Sequence, residues 1–576
     1  MTTATGPSEP TAPGVHAVRA LARLAPWDPA DDADLAAALR FLGSDLEGET
    51  VLRAGDGAAM AVCLGILGPG LLLVGPAPPV FAVALTLALV ASLTARYLPR
   101  LLATARRTRA LGQAPGLVSR AVLRMRLSPT PETAAAFAAE TGSGRLAQSL
   151  HAHVDRAAGS GSAGLSAFAD EWAEWFPALR RALTLVESAG EASGSERERA
   201  LDSALEVTLE GTRETMADFA AAVQGPATAL YAFGVLLPLS LVALLPTAGA
   251  VGVEVSLLAV VAGYDVVLPV ALVVASAWLL ARRPVAFPPP EVPRSHPEIP
   301  DRRWPALAAV CVSAVVAWAV TARFVAPWAA AVAAPAAGAG VGLVVAYRPA
   351  NSVRERVEAV EADLADGLYL VGREVGRGRS VETALSDAVE LLDSPTDEVF
   401  ADATRQQRQL KAGVRESFLG EHGALATVPS ERARSTAELL AVAASEGKPA
   451  GPAIVEMADH LDDLQSVETT VRRDLRQVTS TLAHTATVFG PLVGGATVTL
   501  AGRMSADGPL TSAVSASALG LAVGVYVVAL AVILTALATG LERGLERSLV
   551  GYRVGRALVS AAAVFVFALV ATRLFV

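Results

Sequence analysis

The chain is poor in cysteine, in lysine and in charge of either sign. Only two of its 576 residues are cysteine, Cys63 and Cys311, and both fall inside apolar segments. Two such cysteines exclude a disulfide framework and a cysteine-ligated metal site. Charged residues make up 18% of the chain, hydrophobic residues make up 53%, and the mean hydropathy is +0.45. A soluble globular protein carries about a quarter charged residues, so a single soluble enzyme domain and a disordered chain are both excluded.

The charge that is present is segregated along the chain. Residues 348–483 hold 24 acidic and 16 basic residues, whereas residues 226–281 hold only Glu254 and Asp265. Long apolar blocks separated by charged blocks predict a polytopic membrane protein with substantial soluble parts. The net charge of −9 argues against nucleic acid as a partner.

Lysine is nearly absent, because only Lys411 and Lys448 contribute to the 47 basic residues. An acidic surface stays hydrated at high salt, so the composition favours a halophilic source. A GC-rich coding sequence would also favour arginine over lysine, and it is the alternative explanation.

About nine segments are apolar over the roughly 20 residues that a crossing helix needs. The predicted spans are Gly57–Gly75, Ala77–Ala95, Pro226–Pro246, Gly263–Ala281, Pro305–Ala322, Val325–Tyr347, His484–Ala501, Ala513–Thr539 and Ala557–Ala571. Arginines cluster after spans two, four, six and eight, while the opposite loops offer little beyond Arg323 and Arg503. We call residues 96–225 and 348–483 the first and second polar regions. The positive-inside rule places both of them in the cytoplasm and the C-terminus outside.

The predicted architecture is all-α, with about nine transmembrane helices and two cytoplasmic helical bundles. The segments are an N-terminal cytoplasmic segment 1–56 with a disordered start, a transmembrane hairpin 57–95, a cytoplasmic domain 96–225, four spans in 226–347 with a cytoplasmic linker 283–304, a second cytoplasmic domain 348–483, and three spans in 484–576. Met1–Asp56 has no apolar core, so we expect no cleavable signal peptide.

Asp265 is the acid of the fourth span. Counting back about 20 residues from Arg282 ends this span near Gly263, which predicts that Asp265 lies at the outer interface. An intramembrane carboxylate is by default a functional candidate, and an interfacial or cavity-facing acid is the alternative. An intramembrane aspartyl peptidase would pair Asp265 with Asp56, but Arg53 stands where the first glycine of its motif belongs.

The two polar regions share a sequence pattern. Leu117–Arg126 and Leu370–Arg379 both read L-V-x-R-x-V-x-R-x-R, and each is followed by Glu-Thr-Ala. Both predict a helix, a basic turn and a second helix, the second of which begins at Ser380 or at Thr130-Pro131. The arginines of these turns are candidate partner contacts, with lipid headgroups as the alternative ligand: Arg120, Arg124, Arg126, Arg373, Arg377 and Arg379.

Each polar region also ends in an amphipathic stripe that runs towards a span. The stripes reach Phe233-Gly234 and Phe489-Gly490, and a proline follows each pair at Pro238 and Pro491. If amphipathic and apolar parts are continuous, residues 453–501 form one helix of about 70 Å. Such a helix can act as a lever between the soluble and membrane parts, or as a stiff connector without a mechanical role.

Catalytic and nucleotide-binding motifs are not found in the sequence. It contains no G-x-x-x-x-G-K-[ST], no H-E-x-x-H and no G-x-S-x-G, so we predict neither an enzyme nor a cofactor. A polytopic transporter with regulatory cytoplasmic domains is one alternative, although it should carry polar groups near the midplane. A membrane sensor or scaffold is the other.

The order of domain, membrane block, domain and membrane block resembles the archaeal branch of the type II secretion system F domain family, the FlaJ/TadC/PilC-like platform proteins. Gly190-Glu191-Ala192-Ser193-Gly194 is similar to the family element G-E-x-S-G, and Ser445-Glu446-Gly447 is its degraded counterpart. Tyr264–Pro269 also resembles the archaeal branch. The likeness covers about residues 96–540.

The resemblance implies a non-enzymatic platform in the cytoplasmic membrane of an archaeon, at the base of a type IV pilus-like filament. Its expected partners are a hexameric secretion ATPase, pilin subunits, the lipid bilayer and a second copy in a homodimer. The ATPase is expected to drive pilin extraction and filament assembly through the platform. Archaellum, adhesive pilus and other filaments all remain open.

Overall fold

The structure is a computed structural model in which much of the chain is described. The described residues are 13–30, 32–73, 75–142, 144–158, 164–250, 255–283, 290, 292–300, 302, 304–392, 394–446, 450–507 and 515–575. Over these residues the fold is all helical, as the sequence predicts. The predicted disordered start of segment 1–56 lies outside them.

Nine of the described helices are long and apolar enough to cross a membrane, which confirms the predicted number of spans. Their bounds extend beyond the apolar segments because polar residues continue the same helices. Two short helices come first, α1 (Pro13–Ala22) and α2 (Ala33–Leu42). The first two spans follow as a hairpin of α3 (Gly48–Leu73) and α4 (Pro78–Leu111).

In the first polar region the described residues form six helices. They are α5 (Ala114–Leu127), α6 (Pro131–Thr141), α7 (Gly144–Ala157), α8 (Leu165–Trp172), α9 (Pro177–Glu191) and α10 (Gly194–Tyr231). Their buried faces share one apolar core that includes Leu117, Phe168 and Leu183. The basic turn predicted for this region is wrong, because α5 continues to Leu127 and Arg120, Arg124 and Arg126 lie on that helix. In the second region the corresponding helix ends at Gly376.

Spans three to six follow, and the third continues directly from α10. The elements are π1 (Ala232–Leu236), α11 (Leu237–Ala250), α12 (Leu257–Val261), π2 (Ala262–Val267), α13 (Leu268–Ala281), α14 (Trp304–Phe324) and α15 (Pro327–Ala362). The fourth span begins at Leu257, capped by the Ser256 side chain, six residues before its predicted start at Gly263. Asp265 therefore lies inside the helix, within π2.

The described part of the second polar region also forms six helices. They are α16 (Leu364–Gly376), α17 (Val381–Leu391), α18 (Pro395–Leu410), α19 (Val414–Leu419), α20 (Glu431–Glu446) and α21 (Ala450–His484). Ser380 caps α17, as predicted, by accepting a hydrogen bond from the Thr383 N–H at 3.3 Å. Phe400 and Phe418 pack edge to face in the core of this region.

The last three spans complete the chain. They are formed by π3 (Thr485–Phe489) with α22 (Gly490–Asp507), by α23 (Ala516–Arg543) and by α24 (Arg547–Phe575). We call spans three to nine together the membrane block. Its apolar core contains Tyr264, Tyr526 and Leu530, and α23 runs through the middle of that core.

Two of the long helices join the polar regions to the membrane block without a break. Gly194–Leu245 spans 52 residues and Ala450–Met504 spans 55 residues, or about 80 Å each at 1.5 Å per residue. α10 packs against α21, and α11 packs against α22. The predicted continuity of residues 453–501 is therefore present in the structure.

Candidate coupling site at the membrane junction

Ion pairs connect the second polar region to the last two spans. We call the set the junction network: Arg354, Glu358 and Glu361 on α15, Arg432 on α20, Glu468, Arg472 and Arg476 on α21, Glu542 and Arg543 on α23, Glu546 between α23 and α24, and Arg553 on α24. It joins five helices at the level where the apolar segments end. Spacing of i,i+4 puts Arg354 and Glu358 on one face of α15, and Glu468, Arg472 and Arg476 on one face of α21.

The part of the network next to the membrane centres on Glu542, at the end of α23. Its carboxylate accepts from Arg476 Nε at 3.0 Å and from Arg553 Nη1 at 2.8 Å. Arg543 Nη1 reaches both oxygens of Glu358, at 2.7 and 2.9 Å. Spans eight and nine are thereby bound to α21 and to α15 at the same place.

Arg354 is the most deeply buried charge of the network, with 1% of its side chain exposed. It pairs with Glu546 and donates to Ser548 Oγ at 2.6 Å. Glu546 also accepts from the Leu549 N–H at 2.8 Å, which satisfies a free donor in the first turn of α24. One carboxylate therefore fixes the start of α24 and holds α15 against it.

The part of the network further from the membrane centres on Arg432 and Glu468. Glu468 contacts Arg432 at 3.1 Å and Arg472 at 2.5 Å, and Arg432 lies 3.6 Å from Glu361. Burial alone would lower the pKa of Arg432, but Glu361 and Glu468 outweigh it and raise that pKa. The guanidinium is therefore held in its charged form between α15 and α21.

The linker after span four adds a further contact to the same junction. Arg283 is buried, and its Nε donates to the carbonyl of Leu541 at 2.8 Å, in the last turn of α23. Burial lowers the pKa of Arg283 to about 10, so the side chain stays charged at neutral pH. A cation at the end of α23 also complements the partial negative charge of the helix C-terminus.

The predicted arginines of the first region are used inside the chain. Arg120 donates to Ser435 Oγ on α20, so it links the two polar regions. Arg126 pairs with Asp202 on α10, at 2.5 Å, and with Glu456 on α21. The guanidinium of Arg124 lies 6.0 Å from the centre of the Phe137 ring.

The predicted arginines of the second region are exposed instead. Arg373, Arg377 and Arg379 surround the carboxylate of Glu374, at 3.7, 2.5 and 3.5 Å. Arg379 also pairs with Asp387, and 45–61% of each arginine side chain is exposed. Gly378 has a φ of 96°, which a glycine adopts readily, and it lies in the turn that presents Arg377 and Arg379, while Arg373 lies in the last turn of α16.

The residues that resemble the family element form the turn between α9 and α10. A Cβ on Gly190 would lie 2.5 Å from the Pro131 ring, so this glycine lets α9 pack closely on α6. Glu191 is the exposed last residue of α9, and Gly194 begins α10 with a φ of 50°. Glu446 is the last residue of α20, at the corresponding place of the second region, and Gly447 lies outside the described residues.

The two acids considered for peptidase chemistry have different surroundings. Asp56 accepts hydrogen bonds from Trp27 Nε1 at 2.9 Å and from Ser92 Oγ at 2.8 Å, which ties the N-terminal segment to the first hairpin. Oδ1 of Asp265 is buried and has no hydrogen-bond donor among the described residues.

Sequence reasoning did not find the junction network, because Arg354, Arg543 and Arg553 already had an explanation as loop arginines on the positive side. The signal was present in the repeated Leu-Glu-Arg of Leu541–Arg543 and Leu545–Arg547, which places acids four residues apart between two spans. Comparison of the chain with protein-family models, curated proteins and solved structures found no match.

Proposed function

We propose that this chain is the membrane platform of a type IV pilus-like assembly machine, an archaeal pilus or archaellum. In this proposal the two polar regions are repeated cytoplasmic F domains. A hexameric secretion ATPase moves them, and the membrane block transmits that movement to pilin subunits. The protein itself performs no chemical step.

One observation carries the proposal: each polar region leads into the membrane through a single unbroken helix, Gly194–Leu245 or Ala450–Met504. Within the described residues, six helices lead to each set of spans in the same order, α5–α10 and α16–α21, and the shared sequence pattern begins in the first helix of each set. Ion pairs then fasten the second long helix to spans eight and nine through Glu542. A force on the polar regions would therefore reach the spans without passing through a loop.

The exposed arginine turn of the second region is the proposed ATPase contact. Arg373, Arg377 and Arg379 point to solvent, whereas Arg120 and Arg126 are occupied by the other polar region. The two copies of the basic pattern are therefore proposed to have different tasks. The first holds the domains together, and the second binds the acidic surface of a partner.

Affinity purification of the full-length protein from native membranes tests this proposal. We expect a hexameric ATPase to co-purify with the wild type and at least tenfold less of it with R373E/R377E/R379E. A matched control is R180E/R181E/R199E, which reverses three exposed arginines of the first region outside the pattern. Equal ATPase recovery with the turn variant and the wild type would contradict the docking site, and the absence of any ATPase from wild-type preparations would contradict the platform.

A further inference from the structure

Among the described residues, three π segments lie within the continuous helices of spans three, four and seven, and they share one construction. The residue after each segment donates its N–H to the carbonyl five residues earlier: Leu237 to Ala232, Leu268 to Gly263, and Gly490 to Thr485. A proline follows at once in every case: Pro238, Pro269 and Pro491. Since π turns are rare and concentrate at functional positions, three of one design in one membrane block call for an explanation.

Proline explains which carbonyls are left free. It has no N–H and cannot donate to the carbonyl four residues earlier. For Pro238 that carbonyl belongs to Gly234, and it accepts from the Tyr526 hydroxyl. For Pro491 it belongs to Thr487, and it accepts from Ser560 Oγ at 3.1 Å. Side chains of α23 and α24 therefore replace the hydrogen bonds that the two helices lack.

All three segments contact α23. Tyr264 of π2 packs edge to face on Tyr526, with 5.6 Å between ring centroids, and its hydroxyl donates to the Pro238 carbonyl at 2.6 Å. A methyl group on Gly490, just after π3, would lie 3.8 Å from Val235 of π1 and 3.9 Å from Leu530 of α23. We call π1, π2 and π3, together with Tyr526, the π layer.

Proline alone does not produce a π segment in this chain. Other prolines lie inside α-helices that continue without one: Pro69 in α3, Pro99 in α4, Pro226 in α10, and Pro335 and Pro349 in α15. The π layer is therefore a specific arrangement at the level where the two long helices pass into the membrane bundle.

We propose that the π layer is a hinge, about which the polar parts of α10 and α21 tilt relative to spans eight and nine. Because 59% of the Arg476 side chain is exposed, its ion pair with Glu542 costs little to open as α21 tilts. A proline without an N–H follows each segment, and a hydroxyl that replaces the missing hydrogen bond can exchange partners while the helix stays continuous. α21 extends 35 residues from its start to the edge of π3, about 50 Å, so a small angle at the layer gives a large displacement at its far end. The hinge goes beyond the proposed function, because it is a property of the protein alone in a bilayer.

Pulsed electron spin resonance on the full-length protein in nanodiscs tests the hinge. Cys63 and Cys311 are first replaced by alanine, and spin labels are placed at D474C, exposed on α21, and at F567C, exposed on α24 in span nine. We expect a broad distance distribution in this background and at least a twofold narrower one in P238A/P491A, where the helices regain their N–H donors. P335A, a proline substitution outside the layer, should keep the broad distribution.

Tyr526→Phe is a second test variant, measured with the same labels, whose result does not depend on whether the proline variants fold. It removes the donor to the Gly234 carbonyl while it keeps the ring against Tyr264, so the distribution should broaden. A distribution unchanged in Y526F, or equal narrowing in P335A and P238A/P491A, would overturn the hinge. These outcomes are independent of ATPase binding, so a failed hinge and a failed platform are distinguishable.

Discussion

At the residue scale, the burial and the energetic contribution of each arginine depend on which acid the fold brings next to it. Arg354 has 1% of its side chain exposed and relies on Glu546 and Ser548, whereas Arg377 has 61% exposed and shares Glu374 with two neighbours. Removing one partner of a buried pair leaves an uncompensated charge and costs about 3–5 kcal/mol, while exposed pairs contribute about 0–1 kcal/mol. Sequence proximity to a membrane span does not distinguish these two cases.

Arg354→Met should therefore destabilise the protein strongly. We expect a loss of about 3–5 kcal/mol, seen as a clear fall in the unfolding temperature in detergent. R354M/E546Q should recover part of that loss, because the second substitution removes the orphaned carboxylate. R377M is the control and should stay within about 1 kcal/mol of the wild type. Equal unfolding temperatures for R354M and R377M would show that the buried pair of Arg354 and Glu546 does not contribute to the stability of the protein.

His460 gives a pH-dependent prediction. It lies in the polar part of α21, and burial, with Arg126 and Arg432 nearby, lowers its pKa to about 4. Because the unfolded chain binds the proton near pH 6.5, the histidine's contribution to stability is complete above that pH and is lost as the pH falls towards 4. H460L should flatten this dependence by about 3 kcal/mol between pH 6.5 and 4 in unfolding measurements. An identical pH dependence in wild type and variant would contradict the buried neutral state.

Part of the site could be predicted at this scale and part could not. The exposed turn of Arg373, Arg377 and Arg379 follows from a helix that two glycines end, which is local information. The use of Arg126 between Asp202 and Glu456 depends on how α5, α10 and α21 pack, and no local pattern contains that. Identical sequence patterns thus acquire different environments.

At the element scale, small residues allow a close crossing of two helices in the membrane block. A Cβ on Gly340 of α15 would lie 2.8 Å from the carbonyl oxygen of Gly555 on α24, and one on Gly555 would lie 2.7 Å from that of Gly340. Helices in membranes associate through such close packing because lipid supplies no hydrophobic drive between them. Gly65 of α3 has open space around it and provides a comparison.

Gly340→Ala should therefore destabilise the protein and Gly65→Ala should not. One methyl group at the crossing forces α15 and α24 apart, at a cost of about 1–3 kcal/mol. At Gly65 the same methyl meets nothing, and the better helix propensity of alanine makes the change neutral or slightly stabilising. Unfolding temperatures of the two variants in nanodiscs check this. A G340A protein as stable as G65A would contradict the close crossing.

The elements themselves were largely predictable because hydropathy and capping are local. The number of helices long and apolar enough to cross a membrane, nine among the described residues, and the Ser380 cap of α17 are confirmed. The predicted start of span four at Gly263 was wrong by six residues, since a count of residues per crossing does not anticipate the Ser256 cap or a π segment. The ends of α5 and α16 differ because only the second has glycines where the pattern predicts a turn.

At the scale of the whole molecule, three kinds of connection determine how a force could pass from the polar regions to the spans. Arg120 and Arg126 connect the two polar regions, the long helices Gly194–Leu245 and Ala450–Met504 connect those regions to the membrane block, and the junction network fastens the second helix to spans eight and nine. The order of blocks was readable from hydropathy. The cross-links between blocks were not, because each joins residues more than a hundred positions apart or on separate helices.

Electron microscopy of surface filaments tests the platform most directly. The strain lacking this gene is compared with the same strain carrying the wild-type gene, with membrane levels of the protein matched by immunoblot. The account predicts a bald mutant and full restoration of filaments by the wild-type gene. Undiminished filaments on the mutant, in a strain without a second copy of such a gene, would contradict it.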